Sequence, residues 1–476
     1  MPAIGGFMSS RKTTPSKLCV IGASGVTLLL PSLPAWSAAF ALQEQSASRL
    51  GTAFAGSASA ADDASTLFYN VAGLAYLDHP EVLVVVSGIG LNSEFDDEGS
   101  APALGQPLGG EGGDAGSWSA VPSLYAALPL NETLAVGLGV NVPFGLVTDY
   151  DDDWMGRFQA RRSKIETINV APSIAWRPNK QWSIGLGINY QTIDAKLTNS
   201  VNYSAVVAQG LQQLVQAGQL PPSAVPTLLA ANAGLEGRTK LDGDDAAWGF
   251  NVGVLFEPVE GTRIGLSYRS KYKYEVDGDV AFTVPTATNP VGAGIIAAAS
   301  APGALLSNQD ITVDITLPEL VTASITQQVG PAFRLMADLS WQRWSRIEEL
   351  RVENNAGTTI SLTPEEWDDT WRVNIGGEWE MSDRWTLRAG AAYDQSAVPD
   401  STRTPRLPDS DRIWIAVGAQ WRPSDAVVVD AGYAHLFADK GPSEQGTANQ
   451  ALSGVLIGDY EAAVDIVSVQ LAYRFK

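Results

Sequence analysis

The chain has a single cysteine, Cys19, and only two histidines, His79 and His435. That excludes a disulfide framework, cysteine–histidine nucleophile pairs and thiolate- or histidine-rich metal centres, all of which need more such side chains than the sequence holds. Neither histidine sits in a nucleophile motif: His79 precedes Pro80, and His435 falls near the end of an alternating segment. No enzymatic activity and no metal or cofactor site is therefore expected. Charge is scarce too, at 17% of residues, and the formal net charge is −21. An excess of that sign speaks against nucleic acid and anionic membrane surfaces as partners. Long apolar runs are also missing, and none reaches the roughly 18 residues of a membrane-spanning helix.

What is present begins with a targeting segment. Arg11, Lys12 and Lys17 precede an apolar core from Leu18 to Leu33, and Ala35-Trp36-Ser37 has the small-x-small form of a cleavage site. Residues 1–37 read as a signal peptide, so the exported chain would start at Ala38 without Cys19. Residues 38–80 show neither strand alternation nor a long apolar face. From Glu81 onward apolar residues recur with period two. Ile168, Val170, Ile174 and Trp176 oppose Thr167, Asn169 and Ser173; Trp371, Val373 and Ile375 oppose Arg372 and Asn374; Ile413, Ile415 and Val417 oppose Arg412. Such alternation makes strands with one apolar and one polar face.

About fourteen such segments occur, an even count of the kind closed bacterial barrels show. They start near residues 81, 117, 132, 164, 181, 245, 262, 311, 333, 368, 385, 410, 426 and 461. Short turns and long connections alternate between them, as tight periplasmic turns and large external loops do. A soluble β-sandwich would alternate likewise. Here, however, Trp176, Trp182, Trp379, Trp385 and Trp421 lie beside short turns, where their rings suit a membrane–water interface. The expected fold is all-β: a transmembrane antiparallel β-barrel over 81–476, monomeric in bacterial outer-membrane lipid. No sheet edge can stay open in lipid, so the barrel must close. At this size its lumen would leak unless filled, and residues 38–80 are the available plug.

Two long external connections are unusually apolar. Val206, Leu211, Leu214 and Val215 have near-helical spacing, Ser223 is placed to cap a second helix carrying Leu228 and Leu229, and Pro290 leads into Ile295 and Ile296. Packing of these helical loops on one another would use the same residues. An exposed apolar patch also marks a binding surface, here for a hydrophobic small molecule met outside the cell.

These residues, taken in order, resemble the FadL-type long-chain fatty-acid transporters, a family that includes TodX-like aromatic-hydrocarbon channels. The likeness runs from Ala-Ala-Phe-Ala-Leu-Gln-Glu at Ala38 and Ala-Asp-Asp-Ala at Ala61 through Pro143-Phe144-Gly145-Leu146, Trp248-Gly249-Phe250, Tyr268-Arg269-Ser270 and Trp344-Ser345. It ends in Leu407-Pro408-Asp409-Ser410-Asp411-Arg412. The resemblance implies a fourteen-stranded barrel with an N-terminal hatch and passive diffusion of long-chain fatty acids, or of aromatic or aliphatic hydrocarbons. It also implies lateral exit near a kinked third strand, here around Gly137 to Pro143 and including Gly139. The apolar loops would then be an external groove, and Arg351 would meet a cargo carboxylate. The gating motif of the family reads Asn-Pro-Ala; this chain has Asn70-Val71-Ala72. No basic residue stands at Leu197 to Ser200, where the family places a second basic contact.

Overall fold

The computed structural model describes residues 39–476, and the expected signal peptide, 1–37, lies outside the described residues. Twenty strand segments join in one sheet. In chain order they are β1 (Glu81–Asp97), β2 (Trp118–Pro129), β3 (Leu134–Asn141), β4 (Gly145–Asp149), β5 (Arg162–Trp176), β6 (Trp182–Asn202) and β7 (Glu236–Val259). Next come β8 (Thr262–Arg269), β9 (Tyr272–Thr283), β10 (Gln309–Leu317), β11 (Leu320–Val329), β12 (Phe333–Gln342), β13 (Glu349–Asn354) and β14 (Thr359–Pro364). The last are β15 (Thr370–Ser382), β16 (Trp385–Asp394), β17 (Arg412–Ser424), β18 (Val427–Ala438), β19 (Gly441–Gln445) and β20 (Leu456–Arg474). Several staves are interrupted: β3 and β4 both pair with β5, β8 and β9 with β7, and β18 and β19 with β20. The result is a closed antiparallel barrel of 14 staves. Closure is made by β1 against β20 along all 17 residues of β1, from Glu81↔Arg474 to Asp97↔Gly458.

Polarity is inverted relative to a soluble core. Val84, Val86, Ile168, Ile188, Ile375, Val417 and Val469 are exposed on the outer wall, whereas Ser87, Asn169, Asn189, Asn374, Arg388 and Gln470 are buried inside it. That is the pattern a lipid-facing surface requires. At the short-turn end, Trp182 stacks on Phe256 at 4.3 Å, Phe333 on Trp379 at 6.0 Å and Trp385 on Trp421 at 6.1 Å. The expected strand starts agree with the staves on this side of the barrel. They depart on the other, because β7 begins at Glu236 and β9 runs on to Thr283, into residues expected to be a long connection. These upper segments carry Asp242, Asp244, Asp277 and Asp279, so they stand clear of lipid and lack an outward apolar face, while Tyr272, Tyr274, Val276 and Val280 of β9 are buried inward.

Residues 39–80 fill the lumen with two short helices, α1 (Ala47–Leu50) and α2 (Thr66–Tyr69), and a 3₁₀ turn from Val71 to Tyr76. Ser46 caps α1 by accepting from the Arg49 N–H at 3.3 Å, and Asn70 caps the 3₁₀ turn by accepting from the Ala72 N–H at 3.1 Å. A buried ion cluster ties this plug to the wall. Arg49 meets Asp62 at 2.8 Å and Glu378 at 2.9 Å; Arg334 binds both Asp62 and Glu378, and Arg388 binds Glu378 at 2.8 Å and also Asp430.

Where plug backbone meets wall, the wall residue is repeatedly glycine. A methyl group at Gly376 or Gly390 would overlap the Thr52 carbonyl, one at Gly265 the Ala58 carbonyl and one at Gly185 the Ala72 amide, while Gly418 faces Gly51. Overpacking such a contact costs about 1–3 kcal/mol. Gly390→Val should therefore lower barrel stability by that amount, and an unshifted thermal unfolding curve would show that the plug yields freely.

Candidate functional site

The third stave is broken. β3 stops at Asn141, Val142-Pro143-Phe144 leaves the ladder, and β4 resumes at Gly145. Proline has no N–H to give a ladder, which suits it to such a break. The β2–β3 ladder runs only from Leu124↔Val140 to Pro129↔Ala135, so the edge of β2 from Trp118 to Ser123 has no stave partner on that side. Pairing returns above it, where the Asp149 N–H donates to the Ala115 carbonyl at 2.9 Å. The unpaired stretch is a lateral gap in the wall.

The start of the plug covers this gap from inside. The Leu42 N–H donates to Pro143 O at 2.8 Å, the Gly145 N–H donates to Phe40 O at 3.0 Å, and Ala41 bridges Phe144. Gln45 Nε2 donates to Val142 O at 2.7 Å, and its Oε1 accepts from Ser123 Oγ at 2.6 Å. Residues 39–45 thus supply to the broken stave the hydrogen bonds that β2 does not.

Two cavities meet behind the gap. The first, of about 210 Å³, touches both gap edges at Ser119, Ala120, Val142 and Val147, and reaches Glu44, Arg372, Asp394, Asp409 and Arg412. The second, of about 100 Å³, is walled by Ile193, Leu241, Val313, Leu350 and Val352 among others. Phe40, Leu146, Ile165 and Leu407 line both. Phe40 is the wedge between them, packed on Trp344 at 5.2 Å, Phe144 at 5.8 Å and Trp367 at 6.0 Å.

The charges divide between the two. Arg372, on β15, is buried with its guanidinium 4.4 Å from the Trp414 ring, and its Nε and Nη2 have no hydrogen-bond partner. Arg412 is held more firmly, 3.5 Å from Asp394 and 3.7 Å from Asp409. Buried donors left open are costly, so Arg372 offers a planar, forked anion site at the wall of the first cavity. In the second, burial pushes the Glu365 carboxyl up to about 7, against the Trp367 Nε1–H that donates to it at 2.9 Å. Burial lowers the Arg406 guanidinium to about 10, and Glu365 partly offsets that. Among the described residues no group of acidic, histidine or cysteine side chains is arranged to hold a metal ion.

The expected site residues distribute as follows. The external helices α3 (Tyr203–Gln216), α4 (Val225–Ala231) and α5 (Pro290–Ala299) pack together, burying Val207, Leu211 and Ile296 with Val206, Leu228, Leu229 and Ile295 against them. Leu214 and Val215 remain half-buried outside this cluster. Ser223 does not cap α4: it lies within a 3₁₀ turn, Pro222–Ala224, and makes no cap bond, whereas Asn202 caps α3 and Asn289 caps α5. Arg351 sits on β13 between Leu350 and Val352, which line the second cavity; its own side chain pairs with Glu349 at 2.7 Å and Thr359 at 3.1 Å. Gly139 stays within β3, and the break is confined to 142–144, at Pro143. Asn70, Val71 and Ala72 are buried against β6 and β7, where Asn70 Nδ2 donates to Val254 O at 3.2 Å and Ser183 Oγ donates to Ala72 O at 2.7 Å. Arg372, Arg406 and Arg412 were not singled out from sequence, although alternation had put Arg372 and Arg412 on polar faces.

Comparison with known proteins places this architecture. A family model described as "Outer membrane protein transport protein (OMPP1/FadL/TodX)" matches residues 28–475. The "Long-chain fatty acid transport protein" of Escherichia coli O6:H1 is 28% identical over 445 residues, covering 93% of this chain and 96% of its own length. A crystal structure of a Pseudomonas aeruginosa FadL homologue shares the fold with a TM-score of 0.80 at 24% identity, over 92% of this chain and 100% of that one. The Pseudomonas putida toluene transporter TodX shares it at 0.63 and 16% identity, over 87% and 94%. With nearly its whole length matched, the chain belongs to the OMPP1/FadL/TodX family of outer-membrane transport proteins.

Proposed function

We propose that the chain carries long-chain fatty acids or similar hydrophobic molecules passively across the outer membrane. Cargo settles on the apolar external loops around Leu211 and Ile296, enters the paired cavities, and leaves sideways between β2 and β4 once residues 39–45 are displaced. The route lies within one barrel, so a monomer suffices, and the surrounding outer-membrane lipid is the acceptor. The observation that carries this reading is the first cavity: it is apolar beside Ile89, Leu91 and Leu436, reaches both edges of the gap, and holds the open donors of Arg372. A tail and a carboxylate are what such a cavity accommodates.

The second reading, hydrocarbon uptake, draws on the almost wholly apolar wall of the second cavity. Binding measurements separate the two. Arg372→Gln should weaken oleate by roughly tenfold or more, the value of a lost charge-assisted pair, and leave oleyl alcohol unchanged. Arg351→Ala, which alters a side chain already paired with Glu349, should weaken oleate far less. If wild-type protein binds oleate no better than oleyl alcohol, while toluene saturates it, the cargo is hydrocarbon.

A further inference from the structure

The second cavity is apolar except at one end, where Ser163, Glu365, Thr404 and Arg406 contribute the polar side chains. Glu365 follows β14 and Arg406 lies in the connection from β16 to β17, so both belong to the external loops and not to the wall. They are the two charged residues lining this cavity, and they make no direct ion pair. Arg406 is held only loosely, by contacts to neutral acceptors: Nη1 to Ser163 Oγ at 3.4 Å and Nη2 to Asn199 Oδ1 at 3.3 Å. A half-buried cation given two long neutral bonds is short of an anion. Glu365 is committed elsewhere, accepting from the Trp367 indole, which packs edge-on against Phe40 at 6.0 Å.

We propose that Arg406, opposed by Glu365, is an outer head-group station: it holds the carboxylate of an amphipathic acid at the mouth of the second cavity, before the tail passes Phe40 and the head reaches Arg372. The proposal rests on the fatty-acid reading of the cargo. Its chemistry is an exchange of partners with no covalent step. The carboxylate replaces the long contacts to Ser163 and Asn199 with paired donors from one guanidinium, the geometry arginine favours. An ionised Glu365 on the same cavity wall repels that carboxylate, whereas a protonated one does not. Since burial raises Glu365 to about 7, the station is strongest below that pH and weakens as pH rises through it. Arg406 is the one other charged group lining the cavity with Glu365, and the Trp367 indole is its one hydrogen-bond donor from a neighbouring side chain.

The test measures oleate and oleyl alcohol affinities of the purified barrel in an Arg372→Gln background, where the deeper arginine is silent. The oleate preference that remains should fall roughly tenfold on adding Arg406→Gln, the worth of a charge-assisted pair. Adding Glu365→Gln instead should raise oleate affinity at pH 8 and flatten its pH dependence between 6 and 8, a gain that a misfolded variant could not produce. An oleate preference unchanged by Arg406→Gln overturns the station while leaving the fatty-acid reading intact. Wild-type protein that shows no preference for oleate over its alcohol overturns both.

Discussion

A Glu378→Gln barrel should unfold at a markedly lower temperature than the wild type, with about 3–5 kcal/mol of stability lost. Glu378 is the hub of the plug–wall cluster, receiving Arg49 at 2.9 Å, Arg388 at 2.8 Å and Arg334 Nε at 2.8 Å. With Asp62 and Asp430 it balances those three cations. Neutralising it leaves a positive excess that two carboxylates cannot cover, and Arg49 and Arg388, 4% and 3% exposed, have no water to turn to. Gel mobility after graded heating reads this directly, because closed barrels migrate differently from unfolded chains. A transition at the wild-type temperature would mean that the cluster is solvated and contributes little, as exposed pairs do. An outward substitution such as Ile375→Leu supplies the control, since Ile375 is exposed on the outer wall.

Flux should stop when the lateral gap is filled. Ser119 lies on the unpaired edge of β2 and lines the first cavity. Residues 39–476 contain no cysteine, the chain's single one being Cys19, so Ser119→Cys gives a unique thiol there. Modifying it with a bulky disulfide-forming reagent should reduce oleate transfer into vesicles to the rate of protein-free vesicles, and a reductant should restore it. Undiminished transfer after complete modification would show that cargo leaves by another route.

Much of this was legible in the sequence where lipid imposes a rule. A strand crossing the membrane must alternate, so Ile168 against Asn169 and Trp371 against Arg372 announced both the staves and their facing. Above the membrane the rule lapses. β9 turns Lys273, Glu275, Asp277 and Asp279 outward and keeps Tyr272, Tyr274, Val276 and Val280 inside, and the hairpin of β13 and β14 passed for loop. The plug was visible as a lack of alternation, but its anchorage was not: nothing about Arg49 or Asp62 in sequence points to Glu378 or Arg334, some three hundred positions away. Arg372 was placed on the correct face yet not chosen, because polar residues are the norm inside a barrel; what sets it apart is unmet hydrogen bonding, which exists only once neighbours are in place. Likewise no basic residue occurs at Leu197 to Ser200, and folding delivers one from a distant loop, with Arg406 beside Asn199 at 3.3 Å.

The glycines that face the plug set the order in which the molecule can be made. Gly185 on β6, Gly265 on β8, Gly390 on β16 and Gly418 on β17 grip the plug from staves all round the cylinder. A body gripped on all sides cannot be threaded into a finished tube, so it must already sit among the strands while they are still an open sheet. The β1–β20 seam, joining the first stave to the end of the chain, is then the last to zip. Once it has closed, residues 47–80 are a captive core, and the motion that transport needs is left to the short leader, 39–45, that lies across the gap.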